Sequence, residues 1–69
     1  MSAVAFVANG RPRSAANGAT IADILRELEL APAAVIVEYN GEPLARERFA
    51  ATPLCDGDRI EIAQMVGGG

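Results

Sequence analysis

The residues of this chain that are best suited to chemistry are three glycines. Gly67, Gly68 and Gly69 follow Met65 and Val66. Without side chains, they form a thin, pliable arm that reaches roughly 10 Å at full extension. A carboxylate at the tip of this arm could enter a slot too narrow for any other residue. Because a peptide carboxylate is inert until ATP converts it to an acyl-adenylate, we predict that Gly69 is a substrate for another enzyme; the alternative is an inert, frayed end.

Few other side chains could react or bind a ligand. Cys55 could accept a persulfide or a crosslink, but the adjacent Asp56 opposes thiolate formation, so we interpret the cysteine as a small half-buried residue. Asp56 and Asp58 lack the later oxygen ligands of a calcium loop and are interpreted as turn formers. Arg46 and Arg48 could steer an acidic partner, although solvation of a loop is the favoured interpretation.

The composition argues against most catalytic functions. The chain has 69 residues with no histidine, no lysine and one cysteine. It therefore lacks the usual neutral-pH acid–base group, a disulfide framework and a cysteine-rich zinc site. A net charge of −3 disfavours nucleic acid, and no apolar run approaches the roughly 20 residues that cross a bilayer. We expect a cytoplasmic protein that is not an enzyme and binds no metal, nucleic acid or membrane.

A β-hairpin is predicted at the start of the chain. Residues 3–8 place alternate side chains on two faces, which is typical of a strand. Asn9-Gly10 is a type I′ turn signal, since both residue types accept a positive φ. Residues 11–15 would form the return strand, and Pro12, which has no N–H to donate, indicates that this strand lies at a sheet edge.

A single helix is predicted after the hairpin. Thr20 is the expected N-cap, and Asp23 completes a capping box. Spacing of i, i+3, i+4 and i+7 gives one apolar stripe, formed by Ile21, Ile24, Leu25 and Leu28. We expect about ten residues, a length that is marginal alone. The helix should end at Leu30-Ala31-Pro32, because residues before proline avoid the α region.

Three more strands are predicted in the second half of the chain. Residues 35–39 are β-branched and indicate a central strand, and the turn Asn40-Gly41 leads to a short strand near residues 42–44. After an aperiodic stretch, which could include a helical turn, a tight turn at residues 56–58 precedes the last strand. That strand spans residues 59–63, and Met65 and Val66 continue it.

This order of elements predicts an α+β fold with a mixed sheet packed on one helix, the β-grasp or ubiquitin-like roll. Residues 1–66 would form the β-grasp domain, and residues 67–69 would form a flexible tail. The apolar pair Met65 and Val66, which leads into the tail, is predicted to bind a partner, where an adaptable methionine is well suited.

The whole chain resembles the sulfur carrier proteins of thiamine biosynthesis, the ThiS family. Residues 56–69 are similar to the closing motif of that family, which consists of an acidic glycine turn, a strand and a terminal Gly-Gly. Asn40-Gly41, followed by Arg46 and Phe49, is similar to the middle segment, and Gly18-Ala19-Thr20 matches the segment before the helix.

The resemblance implies a specific reaction at Gly69. An E1-like adenylating enzyme would use ATP and magnesium to adenylate its carboxylate, while the carrier itself binds no cofactor. Sulfur from a cysteine desulfurase would then replace one oxygen to give a thiocarboxylate, and thiazole synthase would take that sulfur. Gly68 and Gly67 would give the tail its access to the enzymes.

Two other functions stay open at this point. A terminal Gly-Gly is shared with other β-grasp carriers, so the sulfur could serve molybdopterin or another pathway. A β-grasp interaction module with an inert tail is the alternative from a different class. The absence of lysine disfavours a polymerising protein tag, because no ε-amine is present for chain formation.

Overall fold

The computed structural model describes residues 2–65; Met1 and residues 66–69 lie outside the described residues. The strands are β1 (Ala3–Ala8), β2 (Arg11–Ala16), β3 (Val35–Tyr39), β4 (Glu42–Leu44) and β5 (Arg59–Gln64), the helix α1 is Ile21–Glu27, and two short 3₁₀ helices cover Pro32–Ala34 and Arg46–Ala51. The predicted α+β class and β-grasp arrangement are confirmed. The predicted tail, 67–69, and the domain limit at residue 66 are not tested.

The last strand occupies the centre of the sheet. The strand order is β2-β1-β5-β3-β4. β5 is parallel to β1, where Ala8 is opposite Ile60, and antiparallel to β3, where Val37 is opposite Ile62. Antiparallel pairing adds β2 beyond β1 and β4 beyond β3. β2 is therefore an edge strand, as Pro12 predicted.

Both predicted hairpin turns are present with the expected backbone geometry. Asn9 and Gly10 have φ angles of 52° and 79°, and Asn40 and Gly41 have φ angles of 52° and 85°. Two successive residues with positive φ define a type I′ turn, whose twist matches that of the flanking strands. These turns set the register of the β1–β2 and β3–β4 pairs.

The start of α1 has the predicted capping box. The Asp23 N–H donates to Thr20 Oγ1 over 3.2 Å, and the Thr20 N–H donates to Asp23 Oδ2 over 2.9 Å. Two backbone donors that the first helical turn leaves without partners are thereby satisfied.

The end of α1 differs from the prediction. The helix has seven residues and stops at Glu27, with Leu28 as its C-cap, rather than continuing for about ten. The Glu29 N–H donates to the Arg26 carbonyl oxygen, and the Leu30 N–H donates to the Leu25 carbonyl oxygen. This is a Schellman motif, with Glu29 at φ 60° in the position that glycine usually takes. The turn at Glu29, and not the proline at position 32, ends the helix.

The core lies between α1 and one face of the sheet. Its most buried large side chains, each less than 2% exposed, are Ile21, Ile24, Leu25, Val35, Val37 and Ile60. Phe49 and Leu54 complete it from the aperiodic stretch, which is held to the helix start because the Leu54 N–H donates to the Ala19 carbonyl oxygen. Each large side chain contributes about 1.5–3 kcal/mol through burial. Among residues 2–65, no helix combines the length and apolar character needed to cross a membrane.

Candidate functional site

The end of β5 fixes the position from which the glycine tail continues. Gln64, the last residue of the strand, is opposite Val35, and the Met65 N–H donates to the Ala34 carbonyl oxygen over 2.8 Å. β5 was predicted to end at residue 63 with Met65 and Val66 continuing it. The observed strand ends at Gln64, and one further backbone hydrogen bond holds Met65.

Of the predicted partner-binding pair, Met65 and Val66, the structure describes Met65. The Met65 side chain is 46% exposed, and Ile36 on the neighbouring strand is 55% exposed. An exposed methionine at the base of the tail agrees with contact to a partner, which stays a prediction. Val66, Gly67, Gly68 and Gly69 lie outside the described residues, so their roles also stay predictions.

Asn9 holds β5 beyond the point where β1 turns away. Its Oδ1 accepts from the Ile62 N–H over 2.7 Å, and its Nδ2 donates to the Ile62 carbonyl oxygen over 3.1 Å. These two hydrogen bonds of the side-chain amide thus replace those that one more residue of β1 would make with β5. The sequence predicted only the turn at Asn9, because the spacing of 53 residues to Ile62 leaves no local signal.

Asp58 joins the start of β5 to the end of β3. Its carboxylate accepts hydrogen bonds from the Tyr39 hydroxyl at 2.6 Å, from Asn40 Nδ2 at 3.1 Å and from the Cys55 N–H at 2.8 Å. Asn40 Oδ1 in turn accepts from the Arg59 N–H at 2.8 Å. Although the sequence predicted Asp58 as a turn former only, the residue is 7% exposed and holds two strands in register.

The same contacts shift two pKa values. Burial alone would raise the pKa of Asp58, but hydrogen bonds from Tyr39, Asn40 and the Cys55 N–H outweigh it and leave this pKa below its ordinary value. The hydrogen bond to Asp58, with burial second, raises the pKa of Tyr39 to about 12. Asp58 is therefore ionised and Tyr39 protonated at neutral pH.

The turn before β5 is also attached to β1. Asp56 Oδ1 accepts from the Ala5 N–H over 2.7 Å, and the Gly57 N–H donates to the Ala5 carbonyl oxygen over 2.8 Å. The interpretation of Asp56 as a turn former is confirmed. No group of three or more His, Cys, Asp or Glu side chains suited to a metal ion occurs within residues 2–65.

Cys55 lies far from the base of the tail. The cysteine is exposed, so the interpretation as a half-buried residue was wrong: its backbone N–H, rather than its thiol, makes the contact to Asp58. Nine residues lie between Cys55 and Met65, and the six of them that form β5 span about 20 Å. The geometry therefore gives no support to a role for this thiol beside the tail.

The two arginines of the aperiodic stretch differ in their contacts. Arg46 Nε donates to the Pro32 carbonyl oxygen over 2.8 Å, which ties the second 3₁₀ helix to the first. The Ala34 carbonyl oxygen of that first 3₁₀ helix is the one that accepts from the Met65 N–H. Arg48 is exposed, which agrees with the favoured interpretation of solvation.

Comparison with known proteins identifies relatives along nearly the whole chain. The model of the ThiS family matches residues 7–69. The sulfur carrier protein ThiS of Bacillus subtilis is 48% identical over 50 residues, which cover 72% of this chain and 76% of that protein. A crystal structure of the thiamine biosynthesis protein ThiS from Geobacter metallireducens superposes with a TM-score of 0.78 at 39% identity, covering 96% of this chain and 100% of that one.

One relative is much longer than this chain. A thiazole synthase of Magnetococcus marinus is 38% identical over 61 residues, which cover 88% of this chain. The chain spans only 19% of the length of that synthase. A segment similar to this protein is thus part of the same polypeptide as a thiazole synthase.

Proposed function

Because the chain belongs to the ThiS family, we propose that it is the sulfur carrier of thiamine biosynthesis and that Gly69 is the residue that carries the sulfur. The carrier is a co-substrate and not itself a catalyst. Its named relatives favour thiazole formation over molybdopterin, the recipient that the sequence left open. The cytoplasmic location expected from the sequence stays a prediction.

The proposed chemistry takes place on the carboxylate of Gly69, as the terminal residue. A carboxylate oxygen attacks the α-phosphorus of ATP in an E1-like enzyme that supplies magnesium, and pyrophosphate leaves. The terminal sulfur of a persulfide made by a cysteine desulfurase then attacks the acyl carbon, and AMP leaves with one former carboxylate oxygen. Two electrons from a thiol, which excess cysteine supplies, cleave the S–S bond of the resulting acyl disulfide and return the delivering cysteine as a thiol. The product is a thiocarboxylate, whose sulfur passes to thiazole synthase.

The observation that carries this proposal is the family match, which extends through residue 69. The geometry of β5 is consistent with it. The strand before the tail is held on one side by β1 and Asn9 and on the other by β3, so the base of the tail has a defined position. Gly67 and Gly68 would then carry Gly69 from this base into narrow active sites.

The thiazole synthase relative supports the choice of recipient. That protein contains a segment similar to this chain, which brings a carrier-like domain and a synthase into one molecule. We infer that the separate carrier also meets a thiazole synthase. The E1-like enzyme and the desulfurase are proposed because the chemistry requires them, and the relatives named above do not identify them.

Intact mass spectrometry tests the proposal directly. The protein is incubated with ATP, magnesium, cysteine, a cysteine desulfurase and the adenylating enzyme of thiamine biosynthesis. We expect a mass gain equal to the replacement of one oxygen by one sulfur, located at Gly69 by fragmentation. Deletion of Gly69 should abolish the gain, whereas Cys55→Ser should retain it. An unchanged mass with an enzyme that loads its own carrier would contradict the proposal and favour the inert-tail module.

A further inference from the structure

An apolar groove lies beside the base of the tail, on the helix side of the sheet. It has a volume of about 210 Å³, and its apolar walls are formed by Ala8, Ile62, Leu28 and Leu30. An apolar cavity of roughly 150 Å³ already accepts a benzene-sized group. The groove is therefore large enough for a side chain of another protein.

Two arginines line the same groove. Arg11 and Arg13 alternate with Pro12 on β2, so they share the face of buried Ala15, which is directed towards α1. Both are nevertheless exposed. Leu28 and Leu30, which follow the end of α1 at Glu27, line the groove together with the two arginines.

These guanidinium groups have no acidic partner among residues 2–65. The salt bridge found there joins Arg26 to Asp23 on the helix surface. Two like charges on one face of a strand repel each other, and the molecule around them carries a net charge of −3. A local positive site in an acidic protein suits a ligand that brings carboxylates.

The groove also adjoins the end of β5. Gln64, which lines it, is the last residue of β5, and Met65 follows at once. Arg11 and Arg13 therefore line the same groove as the residue that precedes Met65.

We propose that this groove is a docking site for thiazole synthase, which inserts an apolar side chain between Leu30 and Ile62 and directs neighbouring carboxylates to Arg11 and Arg13. The proposal rests on the proposed function. Thiazole synthase is chosen over the adenylating enzyme because a thiazole synthase contains a segment similar to this chain. Burial of the apolar side chain would give affinity, and the charges would speed and orient the encounter.

Binding of the full chain to purified thiazole synthase at low and high salt tests the site. Surface charge pairs are screened by salt, so the affinity of the wild type should fall as salt rises. R11E/R13E should bind roughly tenfold or more weakly at low salt and lose most of this salt dependence. R11K/R13K should keep the salt dependence. The control R26E/R48E makes the same change in net charge away from the groove and should bind like the wild type.

Four results would overturn the proposal, and the first three concern the variants. They are wild-type affinity and salt dependence in R11E/R13E, an equal loss in R26E/R48E, and a loss confined to the adenylating enzyme. Should R11E/R13E fail to fold by circular dichroism, R11Q/R13Q takes its place with the same criteria. Measurement of sulfur loading for each variant distinguishes the docking proposal from the carrier proposal, because R11E/R13E should still gain sulfur at Gly69. A wild type that loads sulfur but does not bind the synthase would contradict the docking site and not the carrier chemistry.

Discussion

Among single residues, Asp58 and Tyr39 link protonation to stability. The folded pKa of Asp58 is lowered, so its contribution is present above its unfolded pKa and is lost as pH falls through the folded value. The folded pKa of Tyr39 is raised to about 12, from about 10 in an unfolded chain. Its contribution is complete below the unfolded value and is lost as pH rises towards 12.

We therefore predict that alkaline unfolding of this protein depends on Tyr39. The chain has one tyrosine and no tryptophan, so the phenolate absorbance reports on Tyr39 alone. Phenolate absorbance should give a pKa near 12 in the wild type. In Asp58→Asn this pKa should be lower, because the charged acceptor is gone.

The controls separate the phenol from the thiol. Tyr39→Phe should cost about 1.5–3 kcal/mol at neutral pH, the usual value for a hydrogen bond to a charged group, and should flatten the stability profile above pH 10. Cys55→Ser should lower the pKa of the phenol only slightly, because the charge of Cys55 is the smallest of the contributions that raise it. A wild-type phenol that titrates at its ordinary value would show that the contact to Asp58 is not maintained in solution.

Among the elements, the end of α1 departs from the usual preference for glycine at a left-handed helix terminus. Glu29 has φ 60°, and a left-handed conformation costs a residue with a side chain roughly 1–2 kcal/mol. The Schellman hydrogen bonds and the packing of Leu28 and Leu30 near the core offset that strain. The same turn places Leu28 and Leu30 in the lining of the groove.

Glu29→Gly should accordingly stabilise the protein by about 0.5–1 kcal/mol, because relief of the strain exceeds the extra chain entropy of glycine. The same substitution at Glu27, the last residue of α1, should instead cost up to about 1 kcal/mol. Urea unfolding at equal m-value measures both variants. Destabilisation by Glu29→Gly of the same size as by Glu27→Gly would show that the helix continues through residue 29.

Local signals predicted most of these elements from the sequence. The capping box of Thr20 and Asp23 and the turn at Asn9-Gly10 depend on near neighbours, and both were predicted correctly. The helix end was not predicted because Glu29 occupies a position where glycine is usual, and a glycine there would have been the sequence signal. A Gly-free Schellman motif leaves no sequence mark.

Long-range contacts were not predictable in the same way. Asp58 meets Tyr39 across 19 residues only because β3 pairs with β5. Arg11 and Arg13 adjoin Leu30 only because the hairpin packs beside a shortened helix. The sulfur-carrying role of Gly69 was predicted from the resemblance to a family, because no contact within residues 2–65 indicates which reaction the tail undergoes.

For the whole molecule, a small core makes each buried side chain important. A domain of this size has a stability of roughly 3–10 kcal/mol. Ile60 is 0% exposed and lies in the central strand between β1 and β3. Ile36, on the adjacent strand, is 55% exposed on the opposite face of the sheet.

These two isoleucines allow a matched comparison. Ile60→Ala should cost about 2–5 kcal/mol, because it removes buried methyl groups and leaves a cavity, and should lower the midpoint of thermal unfolding clearly. Ile36→Ala should change the free energy of unfolding by less than about 0.5 kcal/mol. Thermal unfolding followed by circular dichroism compares them. Equal losses of stability would contradict the burial of one face of the sheet and the exposure of the other.

The central position of β5 has a consequence for synthesis on the ribosome. Of the five strands, β5 is translated last, yet β1 and β3 are neighbours in the finished sheet only through it. A nascent chain that ends before residue 59 can form the β1–β2 hairpin and α1 but has a gap at the centre of its sheet. Closing that gap brings together residues more than 50 positions apart, which is a late event in folding. The strand that leads to the glycines is thus also the one that completes the fold, so a partner that recognises the finished sheet does not engage an incompletely translated carrier.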